Sequence, residues 1–96
     1  MDTAVCWVYI LYCSNGAYYT GYTTDMERRY QEHLMGTASK YTRSFKPLYI
    51  AKCWEISGDK AEAMRIERFI KKLSRKEKEK LIAQLEPTSF SRVLNN

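Results

Sequence analysis

Residues 6–23 read CWVYILYCSNGAYYTGYT. Two runs that are rich in β-branched and aromatic residues, 6–12 and 17–23, flank an Asn15-Gly16 step. Such a step between two strand-like runs is a strong short-range signal of a β-hairpin, because both residues tolerate positive φ angles. The chain is therefore predicted to begin with two antiparallel strands that are joined by a tight turn.

A helix and a third strand are predicted next. Thr24 and Glu27 form the pattern of a capping box, with Thr24 as the N-cap and Glu27 as the third helical residue. The helix ends at Gly36 and carries apolar residues at four-residue spacing, namely Met26, Tyr30 and Leu34. Residues 36–46 are predicted as a loop. Leu48 to Ile56 are predicted as a strand, apolar enough to be covered on both faces.

Two more helices complete the predicted order. Asp59 with Glu62, and Ser74 with Glu77, repeat the capping pattern. Both caps are followed by apolar residues at helical spacing, which are Ala63, Ile66, Ile70 and Leu73, then Leu81, Ile82 and Leu85. Pro87 ends the last helix, and residues 88–96 read as a loosely ordered tail. The order β-β-α-β-α-α predicts an α+β protein of one domain, residues 1–96, with a core over about residues 5–85.

The composition is that of a globular protein, with 45% hydrophobic residues. The longest apolar stretch is too short to span a membrane and no signal-peptide pattern opens the chain, so we expect a cytoplasmic protein without membrane contacts. Its three cysteines lack metal-site spacing and are expected to fill the core.

The formal net charge of +5 is unevenly distributed. No lysine or arginine precedes Arg28, and most of the basic residues lie between Lys60 and Lys80. This asymmetry suggests a positive face that attracts a polyanion. A solvated surface of alternating charges is the alternative, and it is favoured for Arg75 to Lys80 taken alone.

Arg29 and His33 are one helical turn apart, on the flank of the predicted apolar stripe. We expect both side chains to project from the margin of the buried face. Arginine can clamp a phosphate and histidine can relay a proton near neutral pH. The alternative makes His33 a boundary residue and Arg29 an ion-pair partner of Glu32 or Glu27.

Glu67 lies at the edge of the next helix's apolar stripe, where a partly desolvated carboxylate needs a partner. A divalent cation would serve, as in Mg²⁺ sites built on one or two carboxylates. An ion pair with Arg68, Lys71 or a cation across the core is the alternative, and position alone favours it.

Other candidates lie on the hairpin and in the predicted loop. Tyr9 and Tyr19 are on paired strands, where tyrosine is usually structural, and Gly21 indicates the close approach of another backbone or a ligand. Residues 40–46, KYTRSFK, interleave cations with aromatic rings and hydroxyls. That mixture suits phosphates and bases, and a plain polar surface loop is an equal alternative.

Together these residues resemble the GIY-YIG nuclease superfamily, and within it the small stand-alone bacterial members. The family's two triplets correspond to residues 7–9 and 19–21, its arginine and histidine to Arg29 and His33, and its metal-binding glutamate to Glu67. The likeness covers about residues 5–85. Residues 40–43 also resemble a loop of the structure-specific junction nucleases.

The match departs from the family pattern at three triplet positions. Trp7 and Val8 replace glycine and isoleucine, and Thr20 replaces the middle isoleucine of the second triplet. The late asparagine of several branches has no counterpart, because Asn95 and Asn96 lie in the predicted tail.

The resemblance implies a three-stranded antiparallel sheet flanked by helices, and a metal-dependent DNA endonuclease that hydrolyses phosphodiester bonds, structure-selective in repair or recombination. It implies one Mg²⁺ or Mn²⁺ on Glu67 and a catalytic set of Tyr9, Tyr19, Arg29, His33 and Glu67. Branched or nicked DNA would contact Lys40, Tyr41, Arg43, Lys46, Arg65, Lys71 and Lys72. A non-catalytic nucleic-acid-binding module and a protein-interaction module with an idle site are the alternatives.

Overall fold

The computed structural model describes residues 5–84, which form three strands and four helices. The predicted fold class and order are confirmed, with one additional short helix. The elements are β1 (Val5–Cys13), β2 (Tyr18–Thr23), α1 (Met26–Met35), α2 (Lys40–Ser44), β3 (Pro47–Ser57), α3 (Lys60–Lys71) and α4 (Arg75–Ala83).

The strands form one antiparallel sheet in the order β2-β1-β3, so β1 is the central strand. The hairpin between β1 and β2 forms where the Asn15-Gly16 step predicted it. Gly16 has a φ of 82°, and the Cys13 amide donates to the Ala17 carbonyl at 2.9 Å. In this register Tyr9 lies opposite Gly21 on one side and Cys53 on the other.

Alternating residues of β1 enter two separate apolar clusters, as a two-residue period requires. Val8 and Ile10 pack with Ile66 and Ile70 of α3 and with Leu81 of α4. On the opposite face the buried residues are Tyr9, Leu11 and Cys13, with Met26 and Tyr30 of α1 partly buried against them. The functional candidate Tyr9 is thus also a core residue.

The start of α1 corrects the prediction by one residue. Asp25, not Thr24, is the N-cap, and its carboxylate accepts from the Arg28 amide at 3.0 Å. The Thr23 hydroxyl accepts from the Asp25 amide at 3.1 Å, and α1 begins one residue later than predicted. The predicted end at Gly36 is confirmed, since Gly36 adopts φ 78°.

The predicted loop of residues 36–46 is wrong in part, because it contains the five-residue helix α2. Ser39 caps this helix, and its hydroxyl accepts from the Thr42 amide at 3.1 Å. A single helical turn has no apolar periodicity, so the sequence pattern could not reveal it.

The third strand exists, but the prediction that both of its faces are covered is wrong. β3 is an edge strand, and its residues Leu48 and Tyr49 are 58% and 54% exposed. The caps of α3 and α4 at Asp59 and Ser74 are confirmed. The predictions for Leu85, Pro87, Asn95, Asn96 and the tail fall outside the described residues. Among helices within residues 5–84, none is long and apolar enough to cross a membrane.

Candidate active site

Gly21 allows the ring of Tyr9 to lie across the edge strand β2. A Cβ atom at Gly21 would come within 2.5 Å of the Tyr9 hydroxyl oxygen and 2.7 Å of its ring. Real Cβ atoms essentially never approach so closely, so only glycine permits this ring position. The group that approaches Gly21 is therefore the Tyr9 side chain, and not the backbone or ligand that the sequence indicated.

The Tyr9 hydroxyl reaches a pocket of about 310 Å³ at this edge of the sheet. Four of the five predicted catalytic residues line it, from four different elements: Tyr9, Tyr19, Arg29 and Glu67. The pocket is completed by Gly21, Tyr22, Thr23, Thr24 and Lys60. Residues far apart in sequence thus converge on one concave surface.

His33 does not line the pocket but lies directly behind it. Its side chain is 1% exposed, so the expectation of a position at the margin of the buried face is wrong. His33 Nε2 is 2.7 Å from the Tyr9 hydroxyl oxygen, and Nδ1 is 2.7 Å from Thr42 Oγ1. The physical reason is α2, which packs on α1 and places Thr42 over the imidazole.

Burial keeps both members of the Tyr9–His33 pair uncharged. The pKa of Tyr9 is raised above its ordinary value, chiefly by burial and then by the neighbouring Tyr19. Burial, followed by the Arg29 guanidinium, lowers the pKa of His33 to about 4. At neutral pH the pair is therefore a phenol bonded to a neutral imidazole, which can accept a proton at one ring nitrogen.

Arg29 lies between the pocket and an ion-pair partner. Its Nε is 3.0 Å from Glu32 Oε1, so the predicted alternative partner is present, and its side chain is 33% exposed. Burial raises the pKa of Tyr9, and the positive charge and hydrogen bonding of Arg29 oppose that rise. A guanidinium in this position can bind a phosphoryl oxygen while it keeps its ion pair with Glu32 of α1.

Glu67 faces the pocket from α3 and forms a long ion pair with Lys71, 3.5 Å between Oε2 and Nζ. The ion-pair alternative drawn from sequence is thus present. The Glu67 side chain is 17% exposed and that of Lys71 is 53% exposed, so a stronger cation could displace the lysine.

Within residues 5–84, no group of three or more histidine, cysteine and carboxylate side chains could hold a metal ion. A metal at Glu67 would therefore depend on water and substrate oxygens for its other ligands. That donor set suits a hard cation such as Mg²⁺ or Mn²⁺ and does not suit zinc.

The predicted nucleic-acid-binding residues lie on α2 and α3 or just after them. Lys40, Tyr41 and Arg43 of α2 are exposed, as is Lys46, which follows it. Tyr41 stacks on the pocket residue Tyr19, with ring centroids 5.8 Å apart, and thus extends the pocket toward α2. The exposed basic residues of α3 and its end are Arg65, Lys71 and Lys72, of which Arg65 also pairs with Glu62.

Three residues with functional positions were not singled out from sequence. Lys60, the first residue of α3, lines the pocket. Thr42 and Ser39 continue the hydrogen bonds of His33 away from it. Serine is a common N-cap residue, but that preference does not predict a contact with His33.

A larger and more apolar cavity, of about 540 Å³, lies between α1 and the sheet. It is lined by Trp7, Met26, Tyr30, Ile50, Cys53 and the first turn of α1. None of the predicted catalytic residues lines it, so the smaller polar pocket is the candidate active site.

The chain is similar to known proteins over most of its length. Residues 5–80 match the family described as the GIY-YIG catalytic domain. A UPF0213 protein of Halalkalibacterium halodurans is 47% identical over 77 residues, which cover 80% of this chain and 81% of that protein. A UPF0213 protein of Halobacterium salinarum is 51% identical over 74 residues, 77% of this chain and 95% of that protein.

A solved structure agrees with the fold. It is the solution NMR structure of a UPF0213 protein from Bacillus halodurans, which is 46% identical. The similarity covers 82% of this chain and 83% of that one, with a TM-score of 0.53.

Proposed function

This chain belongs to the GIY-YIG family, and on that premise we propose that it is a metal-dependent DNA endonuclease that hydrolyses phosphodiester bonds. One observation carries the proposal: Tyr9, Tyr19, Arg29 and Glu67 line one pocket, and Tyr9 bonds to a neutral imidazole behind it. A nucleophile activator, a cation for phosphate and a carboxylate for metal are thus within one pocket.

Tyr9 acts as the general base through His33. As water attacks phosphorus, its O–H bond breaks and Tyr9 takes the proton, while the Tyr9 proton passes to His33 Nε2 over the existing 2.7 Å bond. The new P–O bond forms from the water oxygen, and the P–O bond to the leaving oxygen breaks. Because His33 is neutral at neutral pH, it is able to accept this proton.

Two cationic side chains stabilise the charge on the phosphate, and a metal ion held by Glu67 would add to this. Arg29 and Lys60 face the pocket and bind the phosphoryl oxygens. When bound at Glu67, Mg²⁺ or Mn²⁺ would supply Lewis-acid stabilisation of the scissile phosphate and the leaving oxygen. Tyr19, edge-on to His33 with ring centroids 5.2 Å apart, helps to hold the imidazole in place.

The DNA-binding surface includes α2 and the basic residues of α3. Lys40, Arg43 and Lys46 contact phosphates, and Tyr41 offers a ring beside the pocket. Further basic contacts come from Arg65, Lys71 and Lys72. We propose branched or nicked DNA as the substrate, in repair or recombination in the cytoplasm.

A non-catalytic nucleic-acid-binding module is the second candidate, and the Glu67–Lys71 ion pair favours it. In that case the carboxylate is satisfied by lysine, and the pocket binds phosphate without cleaving it. The two candidates differ in what removal of the Glu67 charge does.

The test compares Glu67→Gln with Glu62→Gln, a matched change on the same helix at a carboxylate that pairs with Arg65 outside the pocket. Supercoiled plasmid and branched oligonucleotides are incubated with Mg²⁺, Mn²⁺ or a chelator. We expect metal-dependent nicking by the parent and by Glu62→Gln. We expect none by Glu67→Gln, with a loss of unfolding free energy of ~1 kcal/mol or less, because the ion pair with Lys71 is long and its lysine is exposed.

Nicking by Glu67→Gln at the parental rate would overturn the catalytic assignment. Salt-sensitive DNA binding by the parent without nicking in either metal would establish the binding module instead.

A further inference from the structure

A chain of hydrogen bonds runs from the pocket into the protein behind it. Tyr9 Oη bonds His33 Nε2 at 2.7 Å, His33 Nδ1 bonds Thr42 Oγ1 at 2.7 Å, and Thr42 Oγ1 bonds Ser39 Oγ at 2.8 Å. His33 and Thr42 are 1% and 0% exposed, so solvent does not compete for the middle of the chain. The proposed function uses Tyr9 and His33 but gives no part to Thr42 and Ser39.

The donors and acceptors along these hydrogen bonds can be arranged in two consistent directions, because a neutral imidazole donates at one nitrogen and accepts at the other. In the forward direction Tyr9 donates to Nε2, Nδ1–H donates to Thr42, and Thr42 donates to Ser39. In the reverse direction every donor becomes an acceptor, and Nε2–H donates to the Tyr9 oxygen. The two directions correspond to the two imidazole tautomers.

The surroundings of Tyr9 favour the forward direction. Arg29 lines the same pocket as Tyr9, and its guanidinium can only donate hydrogen bonds. In the reverse direction the Tyr9 oxygen would face donors from both Arg29 and His33, and its own proton would lose the imidazole as acceptor. The forward direction instead gives the Tyr9 proton an acceptor within the protein, at His33 Nε2.

The other end of the chain is compatible with that direction. Ser39 Oγ has two lone pairs, and one already accepts from the Thr42 amide at 3.1 Å as the N-cap of α2. The second can accept from the Thr42 hydroxyl. Because the χ1 angle of threonine is restricted, the position of the Thr42 hydroxyl is fixed relative to the start of α2.

We propose that Thr42, held by Ser39, is a positioning residue that fixes His33 as the Nδ1–H tautomer and keeps Nε2 open to the Tyr9 proton. Its catalytic consequence rests on the proposed function, but the tautomer itself does not. When Nε2 takes the proton, the imidazolium keeps its Nδ1–H bond to Thr42, and no ring flip is needed.

The tautomer can be measured directly because His33 is the only histidine of the chain. In ¹⁵N-labelled protein at neutral pH, the two ring nitrogens give signals that distinguish a protonated from an unprotonated nitrogen. The variants are Thr42→Val, which removes the hydroxyl at constant shape, and Thr42→Ser, which keeps it. Thr37→Val is the matched control, since Thr37 is an exposed threonine before α2 that bonds the Glu32 carbonyl.

We expect Nδ1 to carry the proton in the parent, in Thr42→Ser and in Thr37→Val, and a mixed or reversed tautomer in Thr42→Val. Metal-dependent nicking should fall in Thr42→Val by about 10- to 100-fold, the range known for partners that hold metal-bound histidines, and should be restored in Thr42→Ser.

An Nε2–H tautomer in the parent would overturn the inference, whatever the activity and whether or not Thr42→Val folds. An Nδ1–H tautomer that survives in folded Thr42→Val would overturn the role of Thr42. A parent that shows the predicted tautomer and its dependence on Thr42, but nicks no DNA, would support the positioning inference while the proposed function fails.

Discussion

At the scale of single residues, the substitution Gly21→Ala tests whether the position of the Tyr9 ring requires glycine. In Gly21→Ala the new Cβ would stand 2.5 Å from the Tyr9 hydroxyl oxygen, so the ring must move. Overpacking of this kind destabilises by about 1–3 kcal/mol. We expect a loss of that size in urea unfolding, and a fall in nicking larger than the loss of folded protein explains.

The matched comparison is the same change in a Tyr9→Leu background, where the hydroxyl and ring are absent. There the Gly21→Ala penalty should shrink, since the two sites are coupled only through contact. An equal penalty in both backgrounds would show that strand β2, not the Tyr9 ring, requires glycine.

His33 should make the fold sensitive to mild acid. Its pKa is about 4 in the folded chain against an ordinary value of 6.5, so between these pH values the unfolded chain binds more protons. The stabilisation is fully present above about pH 6.5 and is lost as pH falls through about 4, with a full size of roughly 3 kcal/mol. Chemical denaturation from pH 7 to 4 measures it.

His33→Gln provides the reference, because it keeps a polar side chain of similar reach but does not titrate. Its stability should fall less steeply over the same range, where both proteins share the remaining groups near the ring, Glu32, Arg29, Tyr9 and Tyr19. Parallel curves for the two proteins would refute the lowered pKa.

At the scale of elements, the sequence predicts those strands and helices whose turns and caps depend on neighbouring residues. The hairpin depends on Asn15-Gly16, and α3 and α4 on caps at Asp59 and Ser74, so each could be predicted from neighbours in the chain. The candidate catalytic residues came from motif order, and no local pattern could show that His33 is buried. That burial depends on α2, a single turn which docks on α1 only in the folded chain.

Helix α2 should contribute local phosphate contacts. The triple variant Lys40→Gln, Arg43→Gln, Lys46→Gln removes three exposed cations beside Tyr41. Each lost phosphate contact lowers the slope of log affinity against log salt by about 0.9, so we expect a decrease of roughly 2 to 3. Fluorescence anisotropy with labelled DNA in chelator measures it.

A triple variant of α4, Lys76→Gln, Lys78→Gln, Lys80→Gln, removes the same formal charge from a helix that contributes nothing to the pocket lining. It should leave the slope nearly unchanged. Equal slopes for the two triple variants would mean that binding senses net charge and not the α2 surface.

At the scale of the whole molecule, the net charge of +5 predicts strongly salt-dependent DNA binding. If six or more phosphates are contacted, affinity should fall about a thousandfold or more between 50 and 200 mM salt, because bound counterions are released. The same anisotropy titration in the parent chain checks this. Affinity that is independent of salt, or absent at low salt, would favour a protein-interaction module.

The central position of β1 gives the two ends of the His33 hydrogen-bond chain different lifetimes. Tyr9 lies on a strand that is paired on both sides, so its amide should exchange with deuterium only when the whole sheet opens. Thr42 lies on a single turn whose opening breaks few bonds, and its amide should exchange by local fluctuations. We therefore expect the Thr42 amide to exchange with deuterium faster than the Tyr9 amide, so that the α2 end of the hydrogen-bond chain opens more often than the β1 end.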